Sequence, residues 1–409
     1  MVLLVHPFGN AAVRALLDAL EHHQLLAKFI TTIGWSKKSH PELEGNIRAL
    51  LRRNFNIPAD KIEIHPLREI VRLLAGRFGV SKLVEHEVGW ASVDEVWRGI
   101  DRITARRLCR GKYPNLRCVY AYEDCAEQTF SAAQALGFRR VYDLPIAYWQ
   151  SVRTLLREEA LRYPDWEPTL GATRDSDEKL ARKTRELELA ELVICPSRFV
   201  LNSLPASVRT EKECLVIPFG TPLCETGDNA VATDSKRPLR VLFAGALTQR
   251  KGLADLFAAI KLAKSNEIEL IVMGSLIKPL NWYRQRLPRF TYEPPRPHQQ
   301  VLKLMRTCDV FVLPSIAEGR ALVQQEAIAC GLPVIATKNA GADDLIEDEE
   351  TGFLVPIRDP EALAVKLDWC AQNRSKLAGM GIAAQRRASQ FSWHDYGEAI
   401  VAAIRELIS

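Results

Sequence analysis

Between Asp309 and Gly341 the chain reads as one strand–helix–strand unit, and this stretch constrains the fold more than any other. Asp309, Val310, Phe311, Val312 and Leu313 make a short apolar run of β type, Pro314 and Ser315 stop it, and Leu322 to Ala329 reads as a helix. Gly331 closes that helix, and Leu332, Pro333, Val334, Ile335 and Ala336 form a second buried strand. The loop Ala317-Glu318-Gly319-Arg320 occupies the strand-to-helix mouth, and Glu326 lies on the helix.

This arrangement suggests a ligand. A helix N-terminus offers unpaired N–H groups and the positive end of the macrodipole, so Gly319, Ala321 and Leu322 can hold a diphosphate. Carboxylates accept hydrogen bonds from sugar hydroxyls, and Glu318 and Glu326 lie on either side of that phosphate position. A nucleotide sugar has the matching order of hexose hydroxyls, diphosphate and ribose hydroxyls. Two glutamates at this spacing also arise by accident on solvated surfaces, and it is the flanking strands and glycine that favour a ligand.

At 409 residues the chain is long for one domain and sufficient for two, each with its own core. No apolar run approaches the length of a bilayer-spanning helix. Met1-Val-Leu-Leu-Val5 reads as a strand without the basic start and cleavage site of a signal peptide, so a cytoplasmic location is expected. The nine cysteines are scattered without CxxC pairing, and Cys118, Cys195 and Cys330 lie in apolar segments, which suits a reducing compartment. The net charge of +5 is spread over many segments; it permits contact with a nucleotide or with the membrane surface, and no nucleic-acid partner is expected.

In the first half, Val2 to Val5 is a buried strand and His6-Pro7-Phe8-Gly9-Asn10 a turn into a helix with Val13, Leu16, Leu17 and Leu20 on one face. Gly9 therefore sits where backbone can approach a phosphate or sugar, although the turn lacks the GxGxxG of a dehydrogenase-type dinucleotide site. Further strands are expected at Lys28 to Thr32 and Lys61 to Ile64. From Leu67 to Arg110 the chain is amphipathic, with Arg and Lys interleaved with Val71, Val84, Trp90 and Trp97. Two readings stand: an ordinary pair of surface helices, or a basic face that docks on a membrane or an anionic acceptor.

Two strands then end in polar loops. Arg117 to Tyr122 runs into Glu123-Asp124, and Arg140 to Tyr142 into Asp143-Leu144-Pro145. Ligands of open α/β sheets gather at the carboxyl ends of strands, so Glu123, on the acceptor side, and Asp143 point toward a shared crevice. Capping of the next helices is the competing role, and Pro145 weighs against it for Asp143. Asp175-Ser176-Asp177 precedes a helix from about Glu178 to Ala190 with no strand leading into it, so it reads as capping rather than as a metal-holding element. His22, His23 and His86 lack ligand spacing with other His or Cys, and no metal site is expected.

After strands at Leu192 to Cys195 and Cys214 to Ile217, a polar stretch without periodicity reads as a linker. A second βα series follows: a strand at Arg240 to Ala244, a loop from Gly245 to Gly252, a helix from Leu253 to Ala263, and strands at Ile268 to Met273 and Phe290 to Tyr292. Arg250 and Lys251 sit in its first βα loop, where an anion meets N–H groups and two cations. A nucleotide base falls to backbone near Gly274-Ser275 and Tyr292-Glu293-Pro294.

Taken together, these residues resemble glycosyltransferase family 4, retaining sugar transferases of the two-domain GT-B fold. The likeness runs through Phe243-Ala-Gly-Ala-Leu-Thr-Gln-Arg-Lys-Gly252, Val312-Leu-Pro-Ser315, Glu318-Gly319 to Glu326-Ala327, Cys330-Gly331-Leu-Pro-Val334 and Glu350-Thr-Gly352, and is looser over residues 1 to 220. It implies an α/β protein of two Rossmann-like doubly wound domains facing across a cleft. The acceptor domain would be 1–222, the linker 223–238, the donor domain 239–390, and a final helix within 391–409 would cross back onto the first domain. It further implies that Glu318 contacts the donor sugar, Glu326 the ribose, and Lys251 with Arg250 the diphosphate, with Gly245 in the same loop. The donor would be a UDP-, GDP- or ADP-sugar, the acceptor a glycan, a lipid-linked sugar or a small molecule, and neither metal nor organic cofactor is implied.

The chain departs from that pattern at three places. Ala246 stands where the family commonly has Arg, Arg320-Ala321 replaces Phe-Gly after Glu318-Gly319, and Asp143 stands where a His is frequent. Arg250 is then expected to supply the missing charge, Arg320 to add a cation at the phosphate or to read a different sugar, and Asp143 to hydrogen-bond a sugar hydroxyl as a catalytic residue. Three rivals share features of the reading: a nucleotide-sugar epimerase of the same fold, a non-catalytic nucleotide-sugar-binding subunit of a polysaccharide assembly system, and, weakest, a pyridoxal-phosphate-dependent phosphorylase.

Overall fold

The structure, a computed structural model, describes residues 1–37, 53–222 and 237–409, so most of the expected linker lies outside the described residues. Its strands, in chain order, are β1 (Val2–Val5), β2 (Leu26–Thr31), β3 (Trp35–Ser36), β4 (Asn54–Phe55), β5 (Ile62–Ile64), β6 (Cys118–Tyr122), β7 (Arg139–Asp143), β8 (Leu192–Cys195) and β9 (Glu213–Val216) in the first half. The second half adds β10 (Leu239–Ala244), β11 (Ile268–Met273), β12 (Thr291–Glu293), β13 (Val310–Leu313), β14 (Val334–Ala336) and β15 (Gly352–Leu354).

They form two large parallel sheets, ordered β5-β2-β1-β6-β7-β8-β9 and β12-β11-β10-β13-β14-β15, with β3 and β4 as a separate pair. Central strands β1, β6, β8 and β13 are buried at every position, because helices cover both faces of a parallel sheet and leave no solvated side to alternate toward. In the second sheet Val241 pairs with Val310, and Phe311 with Val334. That register brings the loops after β10 and β13 side by side at one sheet edge, where open α/β sheets bind ligands.

The strand–helix–strand unit between Asp309 and Gly341 has the expected helix, Leu322–Ala329, between β13 and β14. The stretch from Leu67 contains two helices, Leu67–Phe78 and Val93–Cys109. The final helix, Trp393–Ile408, buries Ile400 and Ile404 in the same core as Val13, Leu16 and Leu20 of the helix Ala11–His22, so it lies on the first sheet's side of the molecule.

The division at residue 222 is only approximate. Trp166, from the first half, packs in the core of the second sheet, with ring centroids 4.9 Å from Trp282 and 5.9 Å from Phe257. Around it, Gln249 Nε2 donates to Glu159 Oε2 (2.7 Å) and to Asp255 Oδ2 (2.8 Å), and Arg358 pairs with Glu158 and Glu159. The segment after helix Trp149–Arg162 therefore crosses to the second domain, where the large indole is buried.

Candidate functional site

The loop Gly245 to Gly252 is shaped by close packing. An added Cβ on Gly274 would lie 1.7 Å from the Gly245 carbonyl oxygen, and one on Gly245 would lie 2.7 Å from Lys251 Cδ. Both glycines hold positive φ (147° and 151°), so the ends of β10 and β11 close on each other and the Lys251 stem lies across them. Lys251 and Arg250 then reach the loop after β13. Lys251 Nζ donates to Glu318 Oε1, and Arg250 Nη1 lies 2.9 Å from the same oxygen. Burial pushes the Glu318 pKa up, but the Lys251 and Arg250 charges outweigh it and hold the carboxyl below its ordinary value.

This ion cluster borders a cavity of ≈ 470 Å³. Of the predicted residues, Gly245, Lys251, Glu318, Arg320, Ala321, Leu322 and Glu326 line it, together with Ala246. The helix Leu322–Ala329 opens onto it at its N-terminus, and Ala321 has no side chain that could cap it. Ala321 N donates to the Ala340 carbonyl (3.2 Å), so the helix's own first N–H groups, not that of Ala321, are the ones available to an anion. Gly274 and Ser275, named above for a nucleotide base, line it as well. Arg296, which the sequence reading missed, lines it too, beside Glu293; three residues after Glu293 in an irregular loop, it had no periodic signal. Glu326 faces His298 across 3.3 Å.

Other predicted residues are placed elsewhere. Gly319 is covered by the first domain: an added Cβ would lie 1.8 Å from the Pro145 carbonyl oxygen, and its own carbonyl accepts from Ser197 Oγ (2.7 Å). Arg250 is not among the cavity's lining residues; besides Glu318 it donates to the Ala317 carbonyl (3.0 Å), so it braces the loop instead of replacing the charge absent at Ala246. Arg320 borders the cavity, but its guanidinium pairs with Asp344, lies 5.0 Å from the Phe391 ring and is buried, which fits it neither to read a sugar nor to meet a phosphate.

Asp143 is the largest correction. It ends β7, yet it is 1% exposed and accepts from Tyr120 OH (2.6 Å), with the Tyr122 and Tyr396 hydroxyls beside it. Burial raises its pKa to about 7. Tyr396 comes from the final helix, so Asp143 lies beneath that helix and does not face the cavity.

Glu123 is also buried, 3.3 Å from Lys183 Nζ; burial pushes its pKa up against that charge. It caps nothing. The next helix, Glu127–Ala135, is capped from afar by Asp101, which accepts from Gln128 N (2.9 Å) and Thr129 N (2.8 Å). Gly9 lies half-buried in the loop after β1, outside the cavity lining. Nearby, His6 is sunk against Tyr122 and Trp97 (centroids 4.5 and 5.2 Å), and burial lowers its pKa to about 3, so its ring is neutral.

Ser176 caps the helix Asp177–Leu189 by accepting from Lys179 N, in line with the capping reading. Spatial neighbours do gather around the histidines: His22 and His23 with Glu398, and His86 with Glu87 and Asp94. Cations already occupy these groups, Arg405 at His23 (3.0 Å) and Lys179 at Asp94 (2.8 Å), and they oppose a metal there. Among the described residues no helix is long and apolar enough to cross a membrane.

Comparison with known proteins bears on the fold and on the second domain. Residues 228–387 match the family model of glycosyl transferases group 1. D-inositol 3-phosphate glycosyltransferase of Paenarthrobacter aurescens is 29% identical over 41% of this chain and 44% of its own. The chain spans 25% to 56% of the length of these curated relatives. Among solved structures, sucrose-phosphate synthase from Thermosynechococcus elongatus superposes with a TM-score of 0.67 at 19% identity, covering 99% of this chain and 98% of that one. Anabaena HepE in complex with UDP gives 0.63 at 18% identity, covering 99% of both. The chain therefore has the GT-B fold across both domains, and over residues 228–387 it matches the glycosyl transferases of group 1.

Proposed function

We propose that the protein transfers a hexose from a nucleoside-diphosphate sugar to a hydroxyl acceptor, with retention of configuration, without a metal ion, and in the manner of glycosyltransferase family 4. One observation carries this reading: a single cavity is bordered by Lys251, Arg296, an uncapped helix N-terminus and the two carboxylates Glu318 and Glu326. Departure of a nucleoside diphosphate concentrates negative charge on the leaving group, so fixed cations and N–H dipoles aimed there lower the barrier most. Lys251, Arg296 and the start of helix Leu322–Ala329 supply them. On donor binding the diphosphate displaces Glu318 from Lys251, and the freed carboxylate takes a sugar hydroxyl.

Same-face attack lets the leaving phosphate accept the acceptor's proton. That route suits a site whose nearest carboxylate is already held by two cations and whose other candidate, Asp143, is buried. UDP is the first nucleotide to test, because the structurally similar HepE has been seen with UDP. The test is calorimetry of the purified protein with UDP, GDP, ADP and their sugar conjugates in EDTA. Tight binding of one nucleotide series, with conjugate turnover in the presence of an acceptor, is expected. Binding that needs a divalent ion overturns the metal-independent part, and no binding to any series overturns the whole. A second reading, a nucleotide-sugar-binding subunit without turnover, is favoured by the burial of Asp143, and binding without transfer would establish it.

A further inference from the structure

The helix Leu67–Phe78 is turned inside out. Its buried side chains are Glu69 and Ala75, while Leu67, Ile70, Leu73, Leu74 and Phe78 are exposed, Phe78 by 73%. An amphipathic surface helix normally sets its leucines on the core. Here the inward contact is made by a carboxylate: Glu69 receives Arg53 Nη2 and Arg72 Nε (2.7 Å) and has no exposed surface. Both guanidiniums also lie over the Phe8 ring, at 5.2 and 5.6 Å, which fixes the helix to the loop after β1. Register error on the helix would cost this buried ion cluster, so the outward leucines are held in place.

The apolar surface is concentrated. Eleven of the eighteen exposed large hydrophobic residues among those described fall between Ile64 and Val93, and helix Leu67–Phe78 touches both the turn Ser81–Leu83 and the helix Val93–Cys109, so they are concentrated in one region of the surface. Its flank is cationic: Arg77 and Lys82 are exposed, with Glu85 as the exposed acid, and Arg68 lies 4.7 Å from the ring of half-exposed Trp90. Leucine and phenylalanine at the centre, with tryptophan and cations at the edge, is the layering of a helix lying in the boundary between lipid tails and anionic headgroups. Phe8 belongs to the loop at the carboxyl edge of the first sheet, so the patch is on the rim of the cleft and away from the donor cavity.

We propose that this face docks on an anionic lipid bilayer, holding the mouth of the cleft at the membrane surface. The inference goes beyond the transfer reading and does not depend on it. It commits to lipid because the rim is positive; an apolar face between two copies of one chain would bring Arg77 and Lys82 into mutual repulsion.

The test is co-sedimentation of the full chain with vesicles of phosphatidylcholine containing phosphatidylglycerol, against vesicles of phosphatidylcholine alone. Binding to the anionic vesicles is expected, falling about 25-fold in Arg77→Gln/Lys82→Gln, since each surface cation contributes a factor of about five. Leu74→Gln/Phe78→Gln should reduce it by about tenfold or more. Both pairs are exposed, so unchanged thermal unfolding and nucleotide binding will show that the variants are folded. Absence of vesicle binding by the wild type overturns the proposal. So does binding indifferent to these substitutions, or a dimer in sedimentation velocity that Leu74→Gln/Phe78→Gln dissociates, since a second copy would then cover the face.

Discussion

Replacing Glu318 by glutamine should separate nucleotide affinity from turnover in opposite directions. In the ligand-free protein this carboxylate holds Lys251 and Arg250, and its side chain is 11% exposed, so the interaction is poorly screened. A hydrogen bond to an ionised partner contributes about 1.5–3 kcal/mol net. A diphosphate that takes Lys251 away must give up about one such bond before it gains its own. Glutamine keeps the shape but competes less, so roughly 1–2 kcal/mol of that cost should disappear, tightening nucleoside-diphosphate binding about five- to thirtyfold. Turnover should fall at least about a hundredfold, because the group that receives the sugar hydroxyl has lost its charge. Calorimetry in EDTA reads the first quantity, and nucleotide release in the presence of acceptor reads the second. If the glutamine variant binds the nucleotide more weakly than the wild type, Glu318 does not compete for Lys251 and the account of donor entry is wrong.

Glu326→Ala should weaken nucleotide binding about five- to thirtyfold while turnover at saturating donor changes little, the pattern of lost uniform binding in steady-state kinetics. Asp143→Asn tests the buried carboxyl. Its folded pKa, raised to about 7, lies above the unfolded value, so the folded state binds more protons between about pH 4 and 7 and the wild type loses stability as pH rises through that window. Urea unfolding should show the asparagine variant gaining on the wild type from pH 5 to pH 8 by roughly 2–4 kcal/mol, and a constant difference would refute the assignment. Gly274→Ala should abolish nucleotide binding and lower the unfolding temperature, because its Cβ would overlap the Gly245 carbonyl oxygen; a variant with normal affinity would show that the β10–β11 loops can part without loss.

The second domain was legible because its signals are local. Apolar runs, a glycine at each turn and a carboxylate at one loop place Glu318, Lys251 and Leu322 at the edge of a single sheet, and parallel register does the rest. The first domain was harder, since strand-end carboxylates look alike in sequence. Whether Asp143 meets solvent or three tyrosines depends on Tyr396, which arrives from the far end of the chain. Capping by Asp101 and bracing by Arg250 are likewise matters of distance in space, invisible to spacing along the chain. The exposed face of helix Leu67–Phe78 lay between these cases. Its amphipathic pattern was plain, but the pattern does not say which side is inward, and the buried Glu69 settles that.

The indole of Trp166 bears on how such chains can be recombined. An exchange of first halves between two relatives, cut near residue 222, would carry a key without its lock: Trp166 would arrive facing another protein's version of Phe257, Trp282 and Tyr283, and Glu158 and Glu159 would lack Arg358. The first half of this chain is therefore not freely portable. A chimaera that works must transplant the socket along with the half that plugs into it, or leave the stretch from helix Trp149–Arg162 through Trp166 with its original partner.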